Sequence, residues 1–208
     1  MLNAECRRLN AKSKQHQQRR ASGWMLLMAI AIVVPMSQVH SDEPLGAPLS
    51  AKAREAITLL DAQDPYQRQL GFLRLEALRD PSTVETILRY VHNQDEDTRA
   101  ASLRALSAIE GVVASPILLE ALKRDRSARV RRAALLGLEP LILDDPFILP
   151  ACLKALRDPE SDVRITAADV VSRVNDPQAR QALLLRAKRE RNQDVRRVIE
   201  AALKRLPS

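Results

Sequence analysis

Asp158-Pro159-Glu160-Ser161-Asp162-Val163-Arg164-Ile165-Thr166-Ala167-Ala168-Asp169-Val170-Val171 is a polar turn, an Asp-Val-Arg step, and then a helix. The helix has small residues on one side and aliphatic residues on the other. The pattern recurs. Aligning the arginine gives Arg68, Arg99, Arg131, Arg164 and Arg196, at steps of 31, 32, 33 and 32 residues. Three residues after each arginine stand Gly71, Ser102, Ala134, Ala167 and Ile199, and seven after stand Leu75, Leu106, Leu138, Val171 and Leu203. A second ladder, Pro48, Pro81, Pro116, Pro146 and Pro177, has the same mean period. Two independent ladders with one period identify a repeat protein.

Each repeat holds two helices. The arginine ladder marks the first, whose turn supplies Asp, Ser or Asn as cap candidates. The proline ladder starts the second, where a first-turn N–H has no helical partner and proline costs nothing. Asp80, Ser115, Asp145 and Asp176 directly precede a ladder proline as further cap candidates. The spacing predicts helices over 49–61, 65–79, 82–93, 96–109, 115–124, 127–138, 147–157, 160–174, 178–190 and 193–206. Pro150 then falls in a first turn, because a deeper proline costs about 3 kcal/mol. No helix pair can bury its apolar side alone. Stacking hides each pair against the next, so the fold class is all-α: a right-handed α-solenoid of about five two-helix repeats over 49–208.

Composition agrees. Of 208 residues 46% are hydrophobic and only 2% aromatic, with 5 glycines. Ala, Leu and Arg favour helix, whereas a sheet protein needs β-branched and aromatic residues. The net charge of +7 is concentrated at the start. Residues 1–41 carry +5 and the remainder +2, which argues against a nucleic-acid binder. In that segment a basic stretch precedes an uncharged apolar run, Trp24 to Val34, which is too short to span a bilayer comfortably. It has the length of a signal-peptide apolar region, with cleavage expected before Asp42 and a linker over 42–48. Arg19-Arg20 resembles a twin-arginine signal but lacks the hydrophobic pair that should follow. A periplasmic or secreted location is expected. The alternatives are an uncleaved inner-membrane anchor and a misassigned start. Cys6 lies in the segment and Cys152 in the body among aliphatic residues, which favours a buried structural thiol.

The Asp158–Arg164 turn and Asp194-Val195-Arg196-Arg197, each followed by an Ala/Leu helix, resemble HEAT repeats. More narrowly they resemble the short bacterial HEAT-like repeats of the phycobilin lyases. Asp145-Pro146-Phe147-Ile148-Leu149-Pro150-Ala151-Cys152-Leu153 fits the same pattern, second proline included. The resemblance covers about 49–208. The ankyrin Thr-Pro-Leu-His and the spaced aromatics of tetratricopeptide repeats are missing. The end repeats depart from the pattern. The first has Tyr66-Gln67-Arg68 in place of Asp-Val-Arg, and the last has Glu200 where Phe72, Leu103, Leu135 and Ala168 stand, as expected where no neighbour covers the end.

The turn aspartates Asp97, Asp162 and Asp194 are expected to pair with the ladder arginines of neighbouring turns. Exposed pairs of this kind are worth about 0–1 kcal/mol each, enough to fix register. No enzyme is expected. The His-Glu dipeptides of HEAT-like di-iron hydroxylases are absent, as are a phosphate loop and a zinc-type cysteine pair, and phycobilin lyases act on tetrapyrroles inside the cell. No cofactor or metal is expected. Lys123-Arg124, Arg126, Arg129, Arg131-Arg132 and Arg186, Lys188-Arg189, Arg191 form basic clusters. A cytosolic nucleic-acid binder is therefore an alternative, weakened by the few aromatics available for base stacking. The expected function is an exported scaffold that binds a protein or peptide along a groove. In HEAT-type solenoids the second helices line that groove, which selects Arg89, Tyr90, His92, Lys123, Arg124, Lys154, Arg157 and Arg186. Tyr90 and His92 are the preferred anchors, because aromatics dominate interfaces.

Overall fold

The computed structural model describes residues 49–206. The segment 1–41, the linker 42–48 and Pro48 of the second ladder lie outside the described residues. Each predicted helix is present, although the one expected over 82–93 shrinks to five residues after a 3-10 turn: α1 Ala51–Thr58, α2 Pro65–Leu78, α3 Val84–Leu88, α4 Glu96–Glu110, α5 Ser115–Arg124, α6 Ala128–Leu138, α7 Ile148–Ala155, α8 Ser161–Val171, α9 Pro177–Ala187 and α10 Gln193–Arg205. The fold is an all-α solenoid. By sequence the repeats run from α2–α3 to α8–α9; in space each second-type helix packs on the first-type helix that follows it, α1 on α2, α3 on α4, α5 on α6, α7 on α8 and α9 on α10, which gives the five expected pairs.

The caps explain where the helices start. Asp64, Asp95, Ser127 and Asn192 accept backbone N–H groups of the first turns of α2, α4, α6 and α10. Asp176 does so for α9, and Asp80 for the 3-10 turn Pro81–Thr83 that leads into α3. Ser115 departs from its expected role. Its hydroxyl donates to Asp145 of the next repeat instead of capping α5. Pro150 sits in the first turn of α7, where its missing N–H breaks no bond. The run Glu96–Arg124 is apolar and long enough by composition to cross a membrane. It is nevertheless broken at Gly111, whose φ of 53° places it in the left-handed region and turns the chain from α4 towards α5.

The core follows the ladders. The residues seven after the first four arginines, Leu75, Leu106, Leu138 and Val171, are fully buried. So are all five residues at the position three after. The small side chains there set the distance between helices. A Cβ on Gly71 would lie 2.8 Å from Leu60 Cδ2 and 2.9 Å from the Ala56 carbonyl oxygen. Glu200, four residues after Arg196, is exposed.

The three central ladder arginines, Arg99, Arg131 and Arg164, are largely buried, whereas Arg68 is half-buried and Arg196 exposed. Nη1 of Arg99 donates to the Asn93 and Gln94 carbonyls (2.8 and 2.9 Å), while its Nε and Nη2 fork onto Asp125 (2.9 and 3.0 Å). Arg131 does the same with its own turn and Asp158, both fork bonds being 2.8 Å. Arg164 does so with Glu190, at 2.9 and 3.1 Å. The side chains of these pairs are at most 13% exposed. Arg68 grips its own turn but reaches Asp95 only at 3.6 Å. Arg196, at the end, holds the Glu190 carbonyl.

The expected partners are therefore wrong. Asp97 pairs with Arg129, and Asp194 with Arg197 in its own helix. Asp162 is exposed, and its carbonyl accepts from the Thr166 hydroxyl. Two residues along a helix are about 200° around it, so these aspartates point away from the arginine that follows them. The carboxylate that opens the next turn lies in the arginine's path. Burial also changes the magnitude. Removing one partner from a buried pair costs about 3–5 kcal/mol, well above the surface value.

Glu190 is the most enclosed of these acids, 2% exposed. Burial pushes its pKa upward. Hydrogen bonds from Arg164, the Asn192 N–H and Arg186 outweigh that and bring it down to about 2. Its ordinary value is higher, so its contribution is complete above about pH 4.5 and is lost as pH falls towards 2. Glu190→Gln should cost about 3 kcal/mol at pH 7. In urea titrations at successive pH values, the gap to the wild type should narrow below about pH 4. Gly71→Ala should destabilise by about 1–3 kcal/mol in the same titration, because the Ala56 carbonyl cannot give way as a side-chain tip does.

Candidate functional site

The first helices α2, α4, α6, α8 and α10 pack closely on one another through Ala100, Ala101, Ala105, Ala133, Ala134, Ala167 and Ala168. The second helices are separated more widely, by leucines and longer side chains, and clefts open between them. The cleft between α7 and α9 has a volume of about 390 Å³, with Leu153, Leu156, Ala182 and Leu185 as its apolar part and Arg157, Arg186 and Arg189 around it. The second, of about 400 Å³, lies between the chain after α3 and α5. Val91, Pro116, Ile117 and Ala121 line it together with His92, Glu120 and Arg124.

These clefts divide the residues expected from the sequence. His92 is exposed and lines the second cleft, as does Arg124, which pairs with Glu120 at 3.1 Å. Arg89 is exposed and pairs with Glu85 at 3.8 Å. Lys123 and Lys154 are exposed on the same helices. Arg157 and Arg186 belong to the first cleft, but Arg186 is tied to the buried Glu190.

Tyr90 is half-buried and held from two sides. Its hydroxyl donates to Asp61 Oδ1 at 2.6 Å, and its ring meets Phe72 edge-on with centroids 5.5 Å apart. Burial first, and the Asp61 carboxylate second, push its pKa up to about 12. It joins the first whole repeat to the turn after α1.

Sequence reasoning did not find the apolar part of the α7–α9 cleft. Leu185 is 47% exposed, yet nothing in a Leu183-Leu184-Leu185 run says which leucine faces a gap. Among the described residues no group of His, Cys, Asp or Glu side chains is placed to hold a metal ion. Cys152 is fully buried, and burial pushes its thiol up to about 12, so it is no ready nucleophile.

The fold resembles that of known proteins. A chain from the complex of CpcE and CpcF of phycocyanin lyase from Nostoc sp. PCC7120 matches with a TM-score of 0.59 and 25% identity, covering 73% of this chain and 98% of that one. An engineered protein matches with a TM-score of 0.50 and 16% identity, covering 74% of this chain and 78% of that one. The first match corrects the expectation that the chain is not an enzyme. That neighbour belongs to a lyase built on the same repeat fold, so missing His-Glu, phosphate-loop and zinc motifs are no ground for excluding catalysis. No curated protein matches significantly. The family model for HEAT repeats matches residues 53–139 and again 124–204. With the arginine ladder and the paired helices both inside that span, the chain belongs to the HEAT-repeat family.

Proposed function

We propose that the second-helix side of this HEAT-repeat domain is a recognition groove for a protein or peptide partner. The observation that carries this reading is the asymmetry of the stack. First helices meet through small buried side chains and the hollow at the starts of α4, α6 and α8 is lined mainly by charged and polar groups, while second helices leave two clefts with apolar floors and exposed charged rims. Apolar concavities with a few convergent polar groups are where binding is expected, and helix-lined grooves accept amphipathic segments. Photo-crosslinking residues placed at Arg89, Lys123 and Lys154 should each yield one common protein adduct in the native host. The same residues at Arg104 and Arg132, on first helices, should yield none. Equal labelling from both sides, or none from either, would remove the groove reading.

The likeness to the phycocyanin lyase chain supports a second reading, in which the chain serves as a lyase subunit and the groove holds the protein acted upon. Purified chain mixed with phycocyanin should then co-elute with it in gel filtration, and separate elution counts against this reading.

We also propose export. The support is the basic stretch, the apolar run Trp24 to Val34 and the small Ser41 before Asp42. Mass spectrometry of the protein from cell fractions should find it outside the cytosol with Asp42 as its first residue. An intact N-terminus at the membrane would instead favour the anchored form, and intact protein in the cytosol would remove export.

A further inference from the structure

Charge is distributed unevenly along the second helices. In the first half of the domain Arg89 pairs locally with Glu85 and Arg124 with Glu120, and among the described residues Lys123 is left without a carboxylate. In the second half most of the basic residues have no carboxylate partner among the described residues, Arg186 with Glu190 being the exception. Neither α7 nor α9 contains an acidic residue. Lys154, Arg157 and Arg189 are exposed there, and among the described residues none of the three pairs with a carboxylate. Asp158 follows Arg157 directly but is held by the fork of Arg131. The acid beside Arg189 is Glu190. It is buried and already accepts from Arg164, Arg186 and the backbone N–H groups of Arg191 and Asn192. It has no capacity left to serve the cleft.

Like charges that face one opening repel each other and attract an opposite charge. Arg157 and Arg189 both line this opening, and the planar fork of a guanidinium matches a carboxylate. Between them lie Leu153 and Leu185, the latter 47% exposed, which favour an aliphatic side chain. Gln178 and Gln181 line the same cleft, and their amides can donate to and accept from a peptide backbone. No aromatic residue lines it to stack a base, and about 390 Å³ suits a few side chains, not a duplex.

We propose that the α7–α9 cleft binds an acidic polypeptide segment, with Arg157 and Arg189 holding its carboxylates and Leu153 and Leu185 holding an interspersed aliphatic side chain. This rests on the groove reading and names the chemistry of the partner.

The test uses the full chain and three fluorescent probes: a peptide alternating Glu and Leu, its Lys-for-Glu counterpart, and a single-stranded DNA oligonucleotide. Fluorescence anisotropy should show saturable binding of the acidic peptide, roughly tenfold or more tighter than the basic one. Affinity should fall several-fold as salt rises from about 50 to about 500 mM. Arg157→Glu with Arg189→Glu should weaken binding by roughly tenfold or more. Arg126→Glu with Arg132→Glu, which changes net charge equally away from the cleft, should leave it within about twofold. All four positions are exposed, and circular dichroism checks that both variants remain folded. Absence of saturable binding at low salt, equal binding of the two peptides, equal losses in the two variants, or tighter binding of the DNA would each overturn the proposal. If the acidic peptide fails while crosslinks still form at Lys154, the groove reading survives with a partner of other chemistry. If both fail, the groove reading falls with it.

Discussion

The ladder arginine connects each repeat to the next. Its Nη1 closes its own turn, and its other two nitrogens close the turn of the following repeat. The contact therefore sets local conformation and long-range register together. Water is largely excluded from the three central pairs, and a bidentate guanidinium–carboxylate pair tolerates little displacement. A slipped repeat would leave a buried arginine and a buried acid uncompensated. Alanine-rich faces alone could not impose such a penalty, because one alanine packs much like another. In a stack where each repeat touches only its neighbours, the polar chain supplies the specificity and the leucines supply most of the driving force.

The two ends show what the ladder needs. No described turn follows Arg196, which holds the Glu190 carbonyl. Glu200 occupies the position where Phe72, Leu103, Leu135 and Ala168 stand in earlier repeats. At the other end the first turn has Ala62 where later turns carry Asp125, Asp158 and Glu190, and no described ladder arginine precedes it to require an acid. Arg180 donates to the Leu203 and Leu206 carbonyls and so secures the end of α10.

One side of the stack is occupied by its own linkage, and the second helices on the other side are free of it. The second helices contribute to the core through Ile87, Leu118, Leu122, Ile148, Leu156 and Leu183. Their outward residues are under no repeat constraint, which is why charge can differ between the two halves. The likeness to a lyase chain fits this division, since a stable stack can support a binding or an enzymatic role without altering its joints.

The sequence by itself determined the repeat period, the two helices per repeat, most caps, the small-residue faces and the identity of the ladder arginines. Each of these is a local property or recurs at fixed spacing, and a pattern that recurs five times is legible without coordinates. Tertiary structure decided which carboxylate each arginine takes. The partner lies 26 or 27 residues away in the central pairs, and Asp97 seemed as suitable as Asp125 until the direction of each side chain was fixed by its helix. It also decided that Tyr90 is tied to Asp61, that Glu190 is spent on Arg164 and Arg186, and that Leu153 and Leu185 face a gap between α7 and α9. Those outcomes depend on how far apart two helices come to rest, a distance set by every side chain between them and by no single stretch of sequence.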